Sequence, residues 1–166
     1  MITMIKRIPA FVVSMALLCS CSKQKGFGPN YSAYNGGDAP ISVQNAVGFR
    51  PDPTVTASVG GDSSITVSMV LTSTTGRTIK EITKVATSSS YAAIQSTGTT
   101  GFFPVPVIPG SGSSVTFKTS LSVYHSVYPK EAFKLNTELV NRFYFRITLD
   151  DGTVVYPTPT RVLVVN

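Results

Sequence analysis

The residues able to do chemistry are few, and their types narrow it sharply. Two cysteines occur, Cys19 and Cys21, both near the start of the chain. His125 is the only histidine, so neither a two-histidine metal site nor a histidine relay with a spare ligand can be assembled. The acids are Asp38, Asp52, Asp62, Glu81, Glu131, Glu138, Asp150 and Asp151. Glycoside hydrolysis needs two carboxylates roughly 5–10 Å apart across a cleft, and no spacing here predicts such a pair. Asp150 and Asp151 are adjacent, ahead of Gly152, where a turn claims them for conformation. A GxSxG elbow, a phosphate-binding glycine loop and an EF-hand loop are missing. No catalytic residue, metal ligand or cofactor is therefore assigned, and a hydrolase ranks last among the readings.

Cysteine chemistry is the specific exception. Residues 1–7, MITMIKR, carry two positive charges; residues 8–18, IPAFVVSMALL, are almost wholly apolar; LCSC follows. That is the charged and apolar order of an export signal. The apolar run is too short to span a bilayer as a helix, which takes about 20 residues. Leu18, Cys19, Ser20 and Cys21 resemble the lipobox of bacterial lipoproteins: an aliphatic residue, two small residues and the modified cysteine. Leu18 is too large to precede the modified residue, which rules against Cys19 and selects Cys21. The resemblance implies a signal peptide over 1–20, acylation of Cys21, and anchoring to a membrane. Two or more acyl chains hold stably where one does not. Ser22-Lys23 lacks an aspartate that retains such proteins at the inner membrane, so the outer membrane is expected.

After removal of residues 1–20 the chain keeps 12 basic and 8 acidic residues, because Lys6 and Arg7 leave with the leader. The cations are dispersed and form no stripe for tracking phosphates, which argues against nucleic-acid binding. Charged residues make up only 13% of the chain, against about a quarter in ordinary soluble domains. Ser, Thr, Gly and Asn supply the polarity instead, and they favour turns and strands over exposed helices.

Residues 21–40 hold the lipidated terminus and a stretch rich in Gly, Asn, Ser and Pro, which reads as a flexible linker. From Ile41 the texture becomes alternating. In 64–73, Ile65, Val67, Met69 and Leu71 share one face; in 113–121, Val115, Phe117 and Leu121 do; in 141–149, Phe143, Phe145, Ile147 and Leu149 do. Segment 77–86 spaces Ile79, Ile82 and Val85 by three, yet its β-branched content favours a bulged strand over a helix. Gly152 suits the positive φ of a hairpin turn into 153–165, and Pro157 must interrupt pairing until past Pro159. Pro129 before Lys130–Phe133 predicts a short helical turn. With 53–59 and 103–108, seven strands are expected: an all-β chain with one β-sandwich over 41–166.

The ending NRFYFRITLDDGTVVYPTPTRVLVV resembles the last two strands of immunoglobulin-like or fibronectin type III-like domains of bacterial surface lipoproteins. The mature chain lacks a cysteine pair and the sequence has no Trp, so the fibronectin-like variant fits better. The reading that follows is a non-catalytic envelope lipoprotein whose sandwich is an interaction or structural module, with an envelope protein or a glycan as partner. The alternative is a carbohydrate-binding accessory module. Its candidate ligand-binding residues are Tyr124 and Tyr128, with Tyr91 and the Phe102–Phe103 pair behind them, because exposed rings stack on pyranose faces. The Arg142–Tyr144–Arg146 stripe reads as a solvated outer strand face with arginine stems over the ring.

Overall fold

A computed structural model describes residues 41–48, 51–72, 76–95, 103 and 106–166. The leader, Cys21 and the linker lie outside the described residues, as does Phe102. The alternating segments form the strands they predict. These are β2 (Thr54–Ser58), β3 (Ser64–Leu71), β4 (Ile79–Ser88), β6 (Ser114–Ser120) and β8 (Arg142–Leu149). Around them stand β1 (Ile41–Val43), β5 (Ile108–Pro109), β7 (Thr137–Glu138), β9 (Val154–Val155) and β10 (Arg161–Val165), with two short helices, α1 (Ala92–Gln95) and α2 (Leu121–Val127). The fold is mostly β, in three sheets ordered β1-β3-β6, β2-β10-β7 and β5-β4-β8-β9.

All three sheets bury one face in a shared core. Ile65, Val67, Met69 and Leu71 of β3 meet Val115 and Phe117 of β6, Val55 and Ala57 of β2, Val162 and Val164 of β10, and the apolar face of β8. Period-two alternation places those side chains on one side of each strand, and their burial is what draws the sheets together. At the centre Phe117 lies 5.5 Å from Phe143 and 5.4 Å from Phe145, ring centre to ring centre, and Phe103 joins at 5.5 Å from Phe143.

Segment 77–86 resolves as a strand. β4 pairs antiparallel with β8 but shifts register between Ile79 and Glu81 and again between Ile82 and Lys84. Those irregularities bring Ile79, Ile82 and Val85, spaced by three, onto the buried side. The turn after β8 is the three-residue type. Gly152 N–H donates to Leu149 O (3.0 Å), Leu149 N–H donates to Thr153 O (2.9 Å), and Gly152 sits at φ +84°.

Four expectations need correction. Of the strand expected at 103–108, the described residues show only β5 at Ile108–Pro109; Phe103 is buried in the core and its N–H donates to Val85 O. The helix itself lies before Pro129, where Ser120 caps Leu121–Val127; from Pro129 the chain makes only a single turn, closed by Glu131 N–H donating to Tyr128 O at 3.0 Å. Past Pro159 the chain pairs with new partners: β10 runs parallel to β2 and antiparallel to β7, and ladder pairing with β8 is confined to the Phe143–Thr160 bridge just before it. The outer face of β8 is not wholly solvated, since Tyr144 is buried with Ala86 and Ile94 beneath Tyr91 and Tyr156.

Candidate functional site

The tyrosines proposed to stack on sugar belong to α2 and its C-terminal cap. Ser120, in extended conformation, ends β6 and accepts a hydrogen bond from Val123 N–H at 3.2 Å through its hydroxyl, which starts the helix. Leu121, Tyr124 and Tyr128 follow at helical spacing and turn inward. Tyr124 is fully buried, its ring packed 4.9 Å from Tyr128 and 6.2 Å from Phe143.

Its hydroxyl is wholly engaged. It donates to Glu131 Oε2 at 2.6 Å and accepts from the backbone N–H and the Nδ2 of Asn141, both at 3.3 Å. Asn141 Nδ2 closes the triangle on Glu131 Oε1 at 2.9 Å. Burial, reinforced by the bond to Glu131, holds the phenol well above its ordinary value. Tyr128 donates to Thr87 O at 3.0 Å and sits 2.6 Å from the Thr87 hydroxyl. The pair therefore presents no exposed stacking platform. Both rings are props that fasten the 129–141 segment and α2 against β4 and β8.

The remaining candidates are placed just as definitely. His125 rides the exposed side of α2, its Nδ1 3.2 Å from Glu131 O and its ring 5.6 Å from Phe133. Tyr91 sits edge-on to Tyr144 at 4.7 Å, and Phe103 is core. Asp150 and Asp151 serve the turn and its neighbour. Asp150 Oδ2 accepts from the N–H and hydroxyl of Thr78, and Asp151 accepts from Thr153 and pairs with Arg77.

A charged cluster escaped the sequence reading. Asp52 Oδ2 receives Arg161 Nε at 3.2 Å, and both Arg161 and Arg142 approach it at 3.1 Å; Arg161 also reaches Glu138 Oε2 at 2.6 Å. It ties the segment before β2 to β7, β8 and β10. Asp52 and Arg161 lie 109 positions apart, and only the parallel β2–β10 pairing brings them together. Hydrogen bonding to its carboxylate partners pushes Arg161 upward, so it stays a cation throughout.

Among the described residues, no three His, Cys, Asp or Glu side chains converge as a metal site. A groove of about 310 Å³ runs beside β1, lined by Ile41, Val43, Ala46, Pro51 and Pro53, with Ser42 and Thr158 supplying polarity. None of the described residues that line it is ionisable. No family model matches this chain, and no curated protein or solved structure is significantly similar to it. Among the described residues no helix is long and apolar enough to cross a membrane.

Proposed function

We propose that the protein is a lipid-anchored envelope lipoprotein whose β domain is a non-catalytic interaction or structural module, built as a fibronectin type III-like sandwich. One observation carries the anchoring: Leu18-Cys19-Ser20-Cys21 directly follows a basic start and an eleven-residue apolar run, at residues 8–18. The 19 residues at 22–40 then act as a tether, with a reach of roughly 25 Å if they behave as a flexible coil. The sandwich assignment draws support from three sheets sharing one aromatic-centred core. The non-catalytic reading draws support from the carboxylates: Asp52, Glu131, Glu138, Asp150 and Asp151 each accept bonds that hold one segment to another. The outer membrane remains the proposed location, on the residues after Cys21. No observation favours the carbohydrate alternative, since of the two rings it leaned on Tyr124 is core and Tyr128 is half-buried and bonded to Thr87.

Labelling cells with a radioactive or clickable palmitate tests the anchor. The native chain takes up label and sediments with membranes, whereas Cys21→Ser does neither and keeps the melting behaviour of its β domain. Label retained by Cys21→Ser would sink the proposal. Hydrolase activity of the purified protein that disappears on changing one carboxylate would overturn the non-catalytic part.

A further inference from the structure

Single apolar residues in water are ordinary, whereas neighbouring ones on one side of a protein mark a contact surface. Two such residues lie on the segment between α2 and β8. Val140 is 73% exposed and Leu135 51%. Leu135 occupies the tip of a tight turn. The Thr137 N–H and hydroxyl both donate to Lys134 O, at 3.3 and 2.6 Å, and Asn136 takes a positive φ of +59°. Turn tips ordinarily carry Gly, Pro, Asn, Asp or Ser; Asn136 conforms and Leu135 does not. The turn is firmly held, because Asn136 N–H donates to Val164 O at 2.7 Å and β7 pairs with β10 directly after it. Lys134 and Val140 line one shallow depression together with Ala132, which puts the turn and Val140 on the same side.

Charge and shape narrow what this side can meet. Glu131 spends its two carboxylate oxygens on Tyr124 and Asn141, and Glu138 is bound by Arg161. That leaves the exposed Lys130 and Lys134 as the outward charge of residues 129–141. The depression beside Val140 holds only about 20 Å³, room for a single water. Tight protein partners bind through side chains seated in well-packed pockets, and this side offers none. A bilayer needs no pocket. It takes aliphatic tips into the boundary between headgroups and acyl chains, while lysine stems lie along the apolar surface and their ammonium groups stay at the headgroups.

We propose that this segment docks on an anionic lipid surface, with Leu135 and Val140 entering the bilayer boundary and Lys130 and Lys134 on the lipid phosphates. Two aliphatic tips and two cations make a weak contact by themselves. The proposal therefore rests on the lipoprotein reading for its strength: an anchor on Cys21 makes docking an intramolecular event and raises the effective concentration of lipid at the patch. Docking gives the β domain a fixed side towards the bilayer.

The test uses the lipidated protein reconstituted in vesicles of phosphatidylglycerol and phosphatidylcholine. Leu135→Cys, Val140→Cys and, as control, Lys80→Cys each carry one bimane label; an acylated Cys21 takes none. Lys80 is exposed near the end of β4 opposite Thr87, where Tyr128 fastens the segment. Labels at 135 and 140 are expected to shift to the blue and to be quenched by doxyl-bearing acyl chains, and the label at 80 to do neither. Lys130→Gln and Lys134→Gln are each expected to weaken the lipid contact about fivefold, and raised salt to weaken it further. Quenching at 135 and 140 no stronger than at 80 overturns the proposal. So does quenching undiminished in phosphatidylcholine alone, or labels that stay in water on vesicles yet shift with polyglutamate, which would assign the patch to an acidic protein. Flotation of the protein with phosphatidylcholine vesicles reports on the anchor by itself, so the two failures are distinguishable.

Discussion

Tyr124 shows how far one side chain's role depends on its surroundings. Its hydroxyl completes a triangle with Glu131 and Asn141 in which each member satisfies the other two. Tyr124→Phe keeps the ring packing and strands a carboxylate and an amide in a half-buried place. It should cost about 1–3 kcal/mol, read as a lower urea midpoint with unchanged slope. The same residue shapes the alkaline limb. Burial raises both Tyr124 and Tyr144 above the ordinary value of 10.0. The unfolded chain thus loses its phenolic protons first as pH rises, and stability falls above about pH 10. Urea midpoints measured from pH 8 to 11 should drop at the alkaline end, and less steeply in Tyr124→Phe. An equal drop in both proteins would remove Tyr124 from the account. On the acid side Asp151 is held below 3.8, first by the Thr153 N–H. Its contribution is present above that value and disappears as pH falls through the lower folded value, so Asp151→Asn should flatten the acid limb.

At the scale of elements, close backbone approach decides one position outright. A Cβ on Gly110 would lie 2.0 Å from Ile79 O, a backbone atom that cannot step aside. Gly110 N–H meanwhile donates to Lys80 O at 2.8 Å, holding the β5–β6 corner to the start of β4. Gly110→Ala must break that bond or displace β4, and a loss of several kcal/mol in chemical denaturation is expected. The alternative, a near-neutral change, would mean the corner is not held as described. Gly110-Ser111-Gly112 reads from sequence only as a loop, because the atom it must avoid is 31 positions away. The helix at Leu121–Val127 had a visible signal: a serine cap followed by apolar residues three and seven apart. Alternation in 113–121 masked it, since Leu121 continues the strand's buried face before the chain turns.

For the whole molecule, the aromatic centre outweighs any polar contact. Phe143 is fully buried and touches Phe103, Phe117 and Tyr124, which come from three separate stretches of chain. Phe143→Ala should cost about 3–5 kcal/mol, a large share of the 5–15 kcal/mol typical of a domain, and lower the thermal midpoint accordingly. Thr148→Ala, on the opposite face of the same strand, should change it little. Alternating apolar residues were enough to locate β3, β6 and β8 and to name their buried faces, because a strand's period of two is a local property of the backbone. The hairpin at Gly152 and the break at Pro157 were legible for the same reason: φ and the missing N–H belong to single residues. Partners were not. That β10 leaves β8 for a parallel pairing with β2, that Tyr124 turns inward, and that Asp52 meets two arginines all depend on contacts between distant stretches of chain. Such contacts carry no local period, and packing alone selects them.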